Sequence, residues 1–546
     1  MTAGVKGGPG SMDRAALARA REALSAARGK RRLDIILDAP DPGVLVRALP
    51  ADEIYFTIRD IGLGDAVPLV QLASAEQFRT FLDLDAWRGS VVDPARILPW
   101  LRAGRAGAAR SDRDAARWKR KLAALDAELT SLVLLRTLRV HDLEEDPDPV
   151  FESDRFMRTP EGKYVIEFAV EGTDYLAARG VVDDLYAEDP FQATRIIAAT
   201  RSELRSELEE SALRWRTARL ADLGYPDLEE ALSWYARPPA KPALLAGEPA
   251  RPPGFFLAQF RRGTLLDRAA DRLPPDERDR VELQVIAAAN AVMVADAVDV
   301  GDPEAVRRAV ESARAMLELG LEALAGGDEE RAAEALAATP LKRVFQHGFG
   351  RILELKWRAE RLLQEGAAGT RQAPLLDPPV GEAMVALVRR RPLYFPGVEA
   401  DRAEWGGAAA AAFEPRPFLS SQELGRTAAA LDLAEALAAL GRKLGLAHAA
   451  GGPAAGPLAP RLSALYLTAL ANERLGRSFR PDPIPAAALP EVARALERLD
   501  DPRLAALGEA GALLARLAAT RAAELAPLRG GGEVRAEHVT AVLVEA

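Results

Sequence analysis

The chain has 546 residues, 49% of them hydrophobic and 28% charged, with no cysteine and a formal net charge of −9. These are globular proportions, which exclude a wholly disordered chain, and the net acidity argues against wholesale coating of nucleic acid. Without cysteine there are no disulfides, no thiolate metal ligands and no cysteine nucleophile. Alanine, leucine, arginine and glutamate dominate, so the expected fold is mainly α: a multi-helical array and bundle with one small β-hairpin. The preference for arginine over lysine fits a GC-rich bacterial genome. The N-terminus lacks the apolar core of a signal peptide, and the longest apolar run, 286–298, is too short to span a membrane. The expectation is a cytoplasmic protein with no membrane insertion.

Residues 1–11 are Gly-rich and read as a flexible head. Residues 12–28 read as a helix with Leu17 and Leu24 on one side. From 33 to 101, Asp-Pro and Gly punctuation breaks the chain into short helices. Ser74 with Gln77 has the spacing of a capping box, and Asp93 before Pro94 marks another helix start. The segment 141–154 carries seven acids and reads as a loop. Residues 151–170 alternate in the manner of a hairpin around Thr159-Pro160-Glu161-Gly162. Asp189-Pro190 then opens a long helical segment through Ala221, on which glutamates and arginines, Glu210 with Arg214 among them, are expected to pair at the surface.

The Pro-rich stretch 237–254 reads as a linker between an N-terminal region, 12–236, and a central bundle, 255–450. In the bundle a helix beginning at Pro274-Pro275 is apolar nearly all round, so Asn290 and Asp296 need polar partners. A further helix opens at Gly301-Asp302-Pro303 and ends at Gly326-Gly327. Residues 339–363 form the axis of this half: Leu341, Phe345, Gly348, Ile352, Leu355, Ala359 and Leu362 make one apolar stripe, edged by His347, Arg351, Glu354 and Arg358. Ser420 with Glu423 is a second capping box. A Gly-rich loop, 451–460, precedes a C-terminal region, 461–546, of three or four helices.

Together, EQFRTFLDLDAWRG, SDRFMRTPEGKYVIEF, SELEESALRWRTARLADLGYPDLEEAL, ANAVMVADAV and TPLKRVFQHGFGRILEL resemble a family of bacterial proteins known only as a domain of unknown function. The resemblance covers most of 30–450; it implies one recurring helical architecture and brings no activity with it. Residues 33–101 are also similar, much more weakly, to the helical N-terminal domain of MgtE-type magnesium transporters.

Searches for P-loop, dinucleotide, zincin and nucleophile-elbow motifs fail, and the four histidines have no ligand spacing. No cofactor or metal is implied. The reading is therefore a non-enzymatic protein acting through protein–protein contact. One alternative is an enzyme or small-ligand-binding protein with an inter-helix pocket formed by Asn290, Asp296, His347 and Arg351, where His347 would titrate near neutrality. The other is a nucleic-acid-associated protein using the cations Arg102, Arg105, Arg110, Arg113, Arg117, Lys119, Arg120 and Lys121 on phosphates, with Trp100 and Trp118 nearby for stacking.

Overall fold

Short polar side chains and proline set where the helices begin. In the computed structural model, which describes residues 14–108, 110–237, 263–366, 368–369, 375–446, 460–530 and 540–545, Ser74 and Gln77 close the reciprocal capping box of the helix Ala75–Asp85. Asp93 caps Pro94–Arg105, and Asp227 caps Leu228–Ser233. The head at 1–11, the linker beyond Arg237 and the loop 451–460 as far as residue 459 lie outside the described residues. Among the described residues helices dominate, with two small sheets. The chain packs as two units: Met1–Tyr235 with Lys241–Arg314 and Leu336–Lys342, and Ala236–Ala240 with Ala315–Ala335 and Arg343–Ala546.

In the first unit the short helices between Lys30–Leu37 and Pro94–Arg105 surround a core of Tyr55, Phe78, Phe81 and Trp100, all fully buried. Tyr55 stacks on Trp100 at 5.9 Å, and Phe81 tilts against the same indole at 5.4 Å. Full burial of each such ring contributes roughly 1.5–3 kcal/mol. The expected helical segment through Ala221 forms as two helices, Pro190–Ser202 and Arg205–Asp222, separated by extended backbone at Glu203 and Leu204. The break lets both helices pack against Ala127–Thr137.

The hairpin at 151–170 forms, but as two strands of a three-stranded antiparallel sheet. Two short strands, β1 (Trp87–Arg88) and β2 (Val91–Val92), make a separate hairpin. The larger sheet comprises β3 (Leu138–Asp142), β4 (Phe156–Arg158) and β5 (Tyr164–Phe168), in the order β3-β5-β4. His141 and Asp142 thus end a strand instead of opening a loop. Every residue of β5 is buried, as a central strand covered on both faces requires. Gly162, at φ 74°, takes the left-handed position that closes the turn, its amide donating to Thr159.

The helix Leu341–Gln364 starts in the first unit and runs from Arg343 on in the second, and its stripe is buried as its spacing requires; Phe345 and Ala359 are wholly inaccessible. The helix begins at Leu341, one residue later than Pro340 at its first position would place it, and Gln284 Oε1 meets the Leu341 amide at 3.3 Å. Gly348 and Gly320 mark where this helix crosses Pro303–Ala325: a Cβ on Gly348 would overlap the Met316 carbonyl oxygen, and one on Gly320 the Val344 carbonyl oxygen. Glycine is needed there because backbone meets backbone. Beyond, Ser420 caps Ser421–Lys443 as expected, but the Glu423 carboxylate reaches the Leu419 amide and Arg416, each at 2.7 Å. The C-terminal helices Leu462–Arg474, Leu489–Ala495, Pro502–Ala505 and Gly508–Glu524 pack on one another as a small bundle.

Candidate functional site

Asn290 and Asp296 belong to the first unit, His347 and Arg351 to the second. Buried Asn290 donates from Nδ2 to the Gly224 carbonyl oxygen at 3.0 Å, fastening the turn that ends Arg205–Asp222. Asp296 is exposed and accepts from the Tyr235 hydroxyl at 3.2 Å. Asn290 and Asp296 thus each hold a neighbouring segment. His347 and Arg351 are half-buried, and the side chain of neither hydrogen-bonds or ion-pairs with a described residue.

The cationic segment is better organised. Pro94–Arg105, Asp112–Ala123 and Gly172–Glu188 enclose a groove of about 510 Å³. Its apolar lining comes from Leu101, Ala106, Ala115, Leu176 and Ala177, and its cations are Arg102, Arg105 and Lys119. Each cation meets the facing helix. Arg102 lies 2.5 Å from Thr173 Oγ1 and 3.5 Å from Asp174; Arg105 donates to Asp184 at 2.6 Å; Lys119 pairs with Glu188 at 3.0 Å. The buried Trp118 indole also donates to Asp184, at 2.7 Å. The hydrogen bond to Asp184 raises the pKa of Arg105 above its ordinary value.

The rest of the run divides. Arg110 bonds Gln71, Arg117 pairs with Asp114 at 3.2 Å, and Arg120 reaches the Ala116 carbonyl of its own helix at 3.3 Å. Arg113 is exposed and bonds no described residue. Lys121 is 2% exposed and donates to the Val70 and Gln71 carbonyl oxygens at 2.9 and 2.8 Å, closing the end of Val67–Leu72. Burial pushes it down to about 8. Trp100 is enclosed in the core and donates to Asp85 at 2.6 Å, so it offers no stacking face. Three of the eight cations, then, gather around one groove.

Two polar clusters escape sequence reading. Arg219, expected at the surface, points inward to Asp83 at 2.7 and 2.8 Å and to Asp126 at 2.7 Å. Arg216 donates to the Asp83 carbonyl oxygen at 2.7 Å and lies over the Trp87 ring. Arg214 rests against Trp215 and does not pair with Glu210. On β5, Glu167 accepts the Glu152 and Ser153 amides at 2.6 Å each and lies 3.2 Å from His141 Nε2. Burial raises the Glu167 pKa, but the hydrogen bonds from Ser153, His141 and Glu152 outweigh it and hold the carboxyl below its usual range. Both clusters join segments distant in sequence. Among the described residues no group of three or more His, Asp or Glu is placed to hold a metal ion.

The described residues thus form a helical chain with small sheets and a cation-edged groove. The chain belongs to a family of unknown function, DUF6178, whose model matches residues 9–527. No curated protein and no solved structure matches it, so the likeness of residues 33–101 to a transporter domain gains no support. No helix among the described residues is long and apolar enough to cross a membrane.

Proposed function

We propose that the chain acts by contact with another protein and that the groove between Pro94–Arg105, Asp112–Ala123 and Gly172–Glu188 takes an acidic, amphipathic helix. The observation that carries this reading is the combination of an apolar lining with three cations beside it. Leu176, 64% exposed, offers apolar surface at the groove. The side chains of Arg102, Arg105 and Lys119 are 39, 42 and 39% exposed, and pairs this open are each worth ~0–1 kcal/mol. Carboxylates of an incoming helix therefore exchange with Asp174, Asp184 and Glu188 at little cost, while its apolar face covers Ala115 and Leu176.

A photo-crosslinking residue at Leu176 of the full chain, activated in the native host, tests this. The expected result is one dominant protein adduct that is lost in Arg102→Glu/Lys119→Glu. Adducts to nucleic acid, or a protein adduct indifferent to those two substitutions, would overturn the reading.

A further inference from the structure

The larger sheet has one closed edge and one open edge. Lys163 and Ala169 bond β3 or its flanks, whereas Tyr164 and Phe168 bond the flanks of β4 through Thr159 and Arg155. With the observed registers, alternate β5 residues serve opposite neighbours, and Met157 is the β4 residue that bonds Ile166. Phe156 and Arg158 therefore turn their N–H and C=O groups away from the sheet, and no described residue meets them. On the other side, the Leu138 amide is held by Leu134 and the Asp142 carbonyl oxygen by Asp146; the Val140 N–H and C=O also turn outward there, but the helix Pro190–Ser202 packs against β3. The open edge carries apolar surface as well. Phe156 is 50% exposed and stacks on Phe151 at 4.6 Å, and Val150 is 89% exposed.

We infer that β4 pairs antiparallel with β4 of a second copy of this chain, about a two-fold axis at Met157. In that register Phe156 of each copy stands opposite Arg158 of the other, and each opposed pair exchanges two backbone hydrogen bonds, four in all. Phe156 and Arg158 share one face of the strand, so each guanidinium comes against the facing ring. A shift of two residues one way would set Arg158 opposite Arg158, a like-charge contact that selects against it; the shift the other way sets Phe156 opposite Phe156 and takes each guanidinium off the facing ring. The edge is thus complementary to itself in both backbone phase and side-chain chemistry, which argues for a second copy over an unrelated strand.

Sedimentation velocity on the full chain tests this. The wild type is expected to dimerise, and Phe156→Arg, which places two cations opposite each other, to weaken the dimer by at least about tenfold. The double variant Phe156→Arg/Arg158→Glu restores opposite charges across the axis and should return the affinity to within about threefold of wild type. Arg158→Pro removes an outward N–H while sparing the Met157–Ile166 bonds, and should also give monomer. Circular dichroism melts establish that each variant is folded. A wild type that is monomeric up to on the order of 100 μM, a dimer indifferent to Phe156→Arg, or a double variant that stays monomeric would each overturn the inference.

Discussion

The Met316 carbonyl oxygen occupies the space that a side chain on Gly348 would need. Two residues along the same helix, Gly350 faces open space. Gly348→Ala should therefore cost about 1–3 kcal/mol by forcing two helix backbones apart, whereas Gly350→Ala should stabilise by about 0.5–1 kcal/mol through better helix propensity. Urea titration of the two variants side by side checks this; equal effects would mean that the helix crossing tolerates a methyl group.

Phe345 faces the core of the same helix and is 0% exposed, whereas Trp357 is 42% exposed. Phe345→Ala should cost ~3–5 kcal/mol as a core truncation, far more than Trp357→Ala. Thermal melts that rank them in the opposite order would show that the buried face is misassigned.

Asp52 is 3% exposed, and its carboxyl is pushed up to about 7, first by burial and further by the neighbouring Glu53 charge. Below about pH 4 the folded and unfolded chains both hold this proton, so it does not affect stability. Between about 4 and 7 the folded state keeps a proton that the unfolded state has released, and stability falls as pH rises. Above 7 the loss is complete, on the order of 4 kcal/mol. Asp52→Asn should therefore gain on the wild type from pH 4 to 7 and hold a constant advantage above it, as read from urea midpoints at each pH. An advantage independent of pH would refute the assignment.

Asp83 is 1% exposed, and burial raises its pKa even with Arg219 bound to it. Arg219→Ala leaves that carboxylate without its main counter-charge and should cost about 3–5 kcal/mol near neutral pH. Protonation relieves the uncompensated charge, so the cost relative to wild type should shrink at pH 5. A cost that grows with acidity would contradict this account.

What was legible in the sequence was local. The caps at Ser74, Asp93 and Ser420 and the stripe from Leu341 to Leu362 rest on spacings of a few residues, and helix geometry turns such spacings directly into contacts. Arg219 was read as a surface residue because its own helix offers glutamates nearby; its true partners, Asp83 and Asp126, lie 136 and 93 residues away. Strand β3 was missed for the same reason, since its pairing with β5 spans the acidic segment between them. At the groove, the cations Arg102, Arg105 and Lys119 stood out by composition. That their counter-ions would all come from Gly172–Glu188 is a property of packing, which no run of residues encodes.

The first unit takes its last residues from Leu336–Lys342, after the chain has already supplied Ala315–Ala335 to the second. Vectorial synthesis cannot complete it from a continuous N-terminal piece: a nascent chain of 235 residues still lacks the helix Pro275–Ala295, whose Asn290 fastens the Gly224 turn. The ribosome must have released everything through Lys342 before the first unit can close. Until then Pro275–Ala295 lacks the bonds that Gln284 and Arg280 make to Leu341 and Ala337, and incomplete packing of this kind exposes a chain to aggregation.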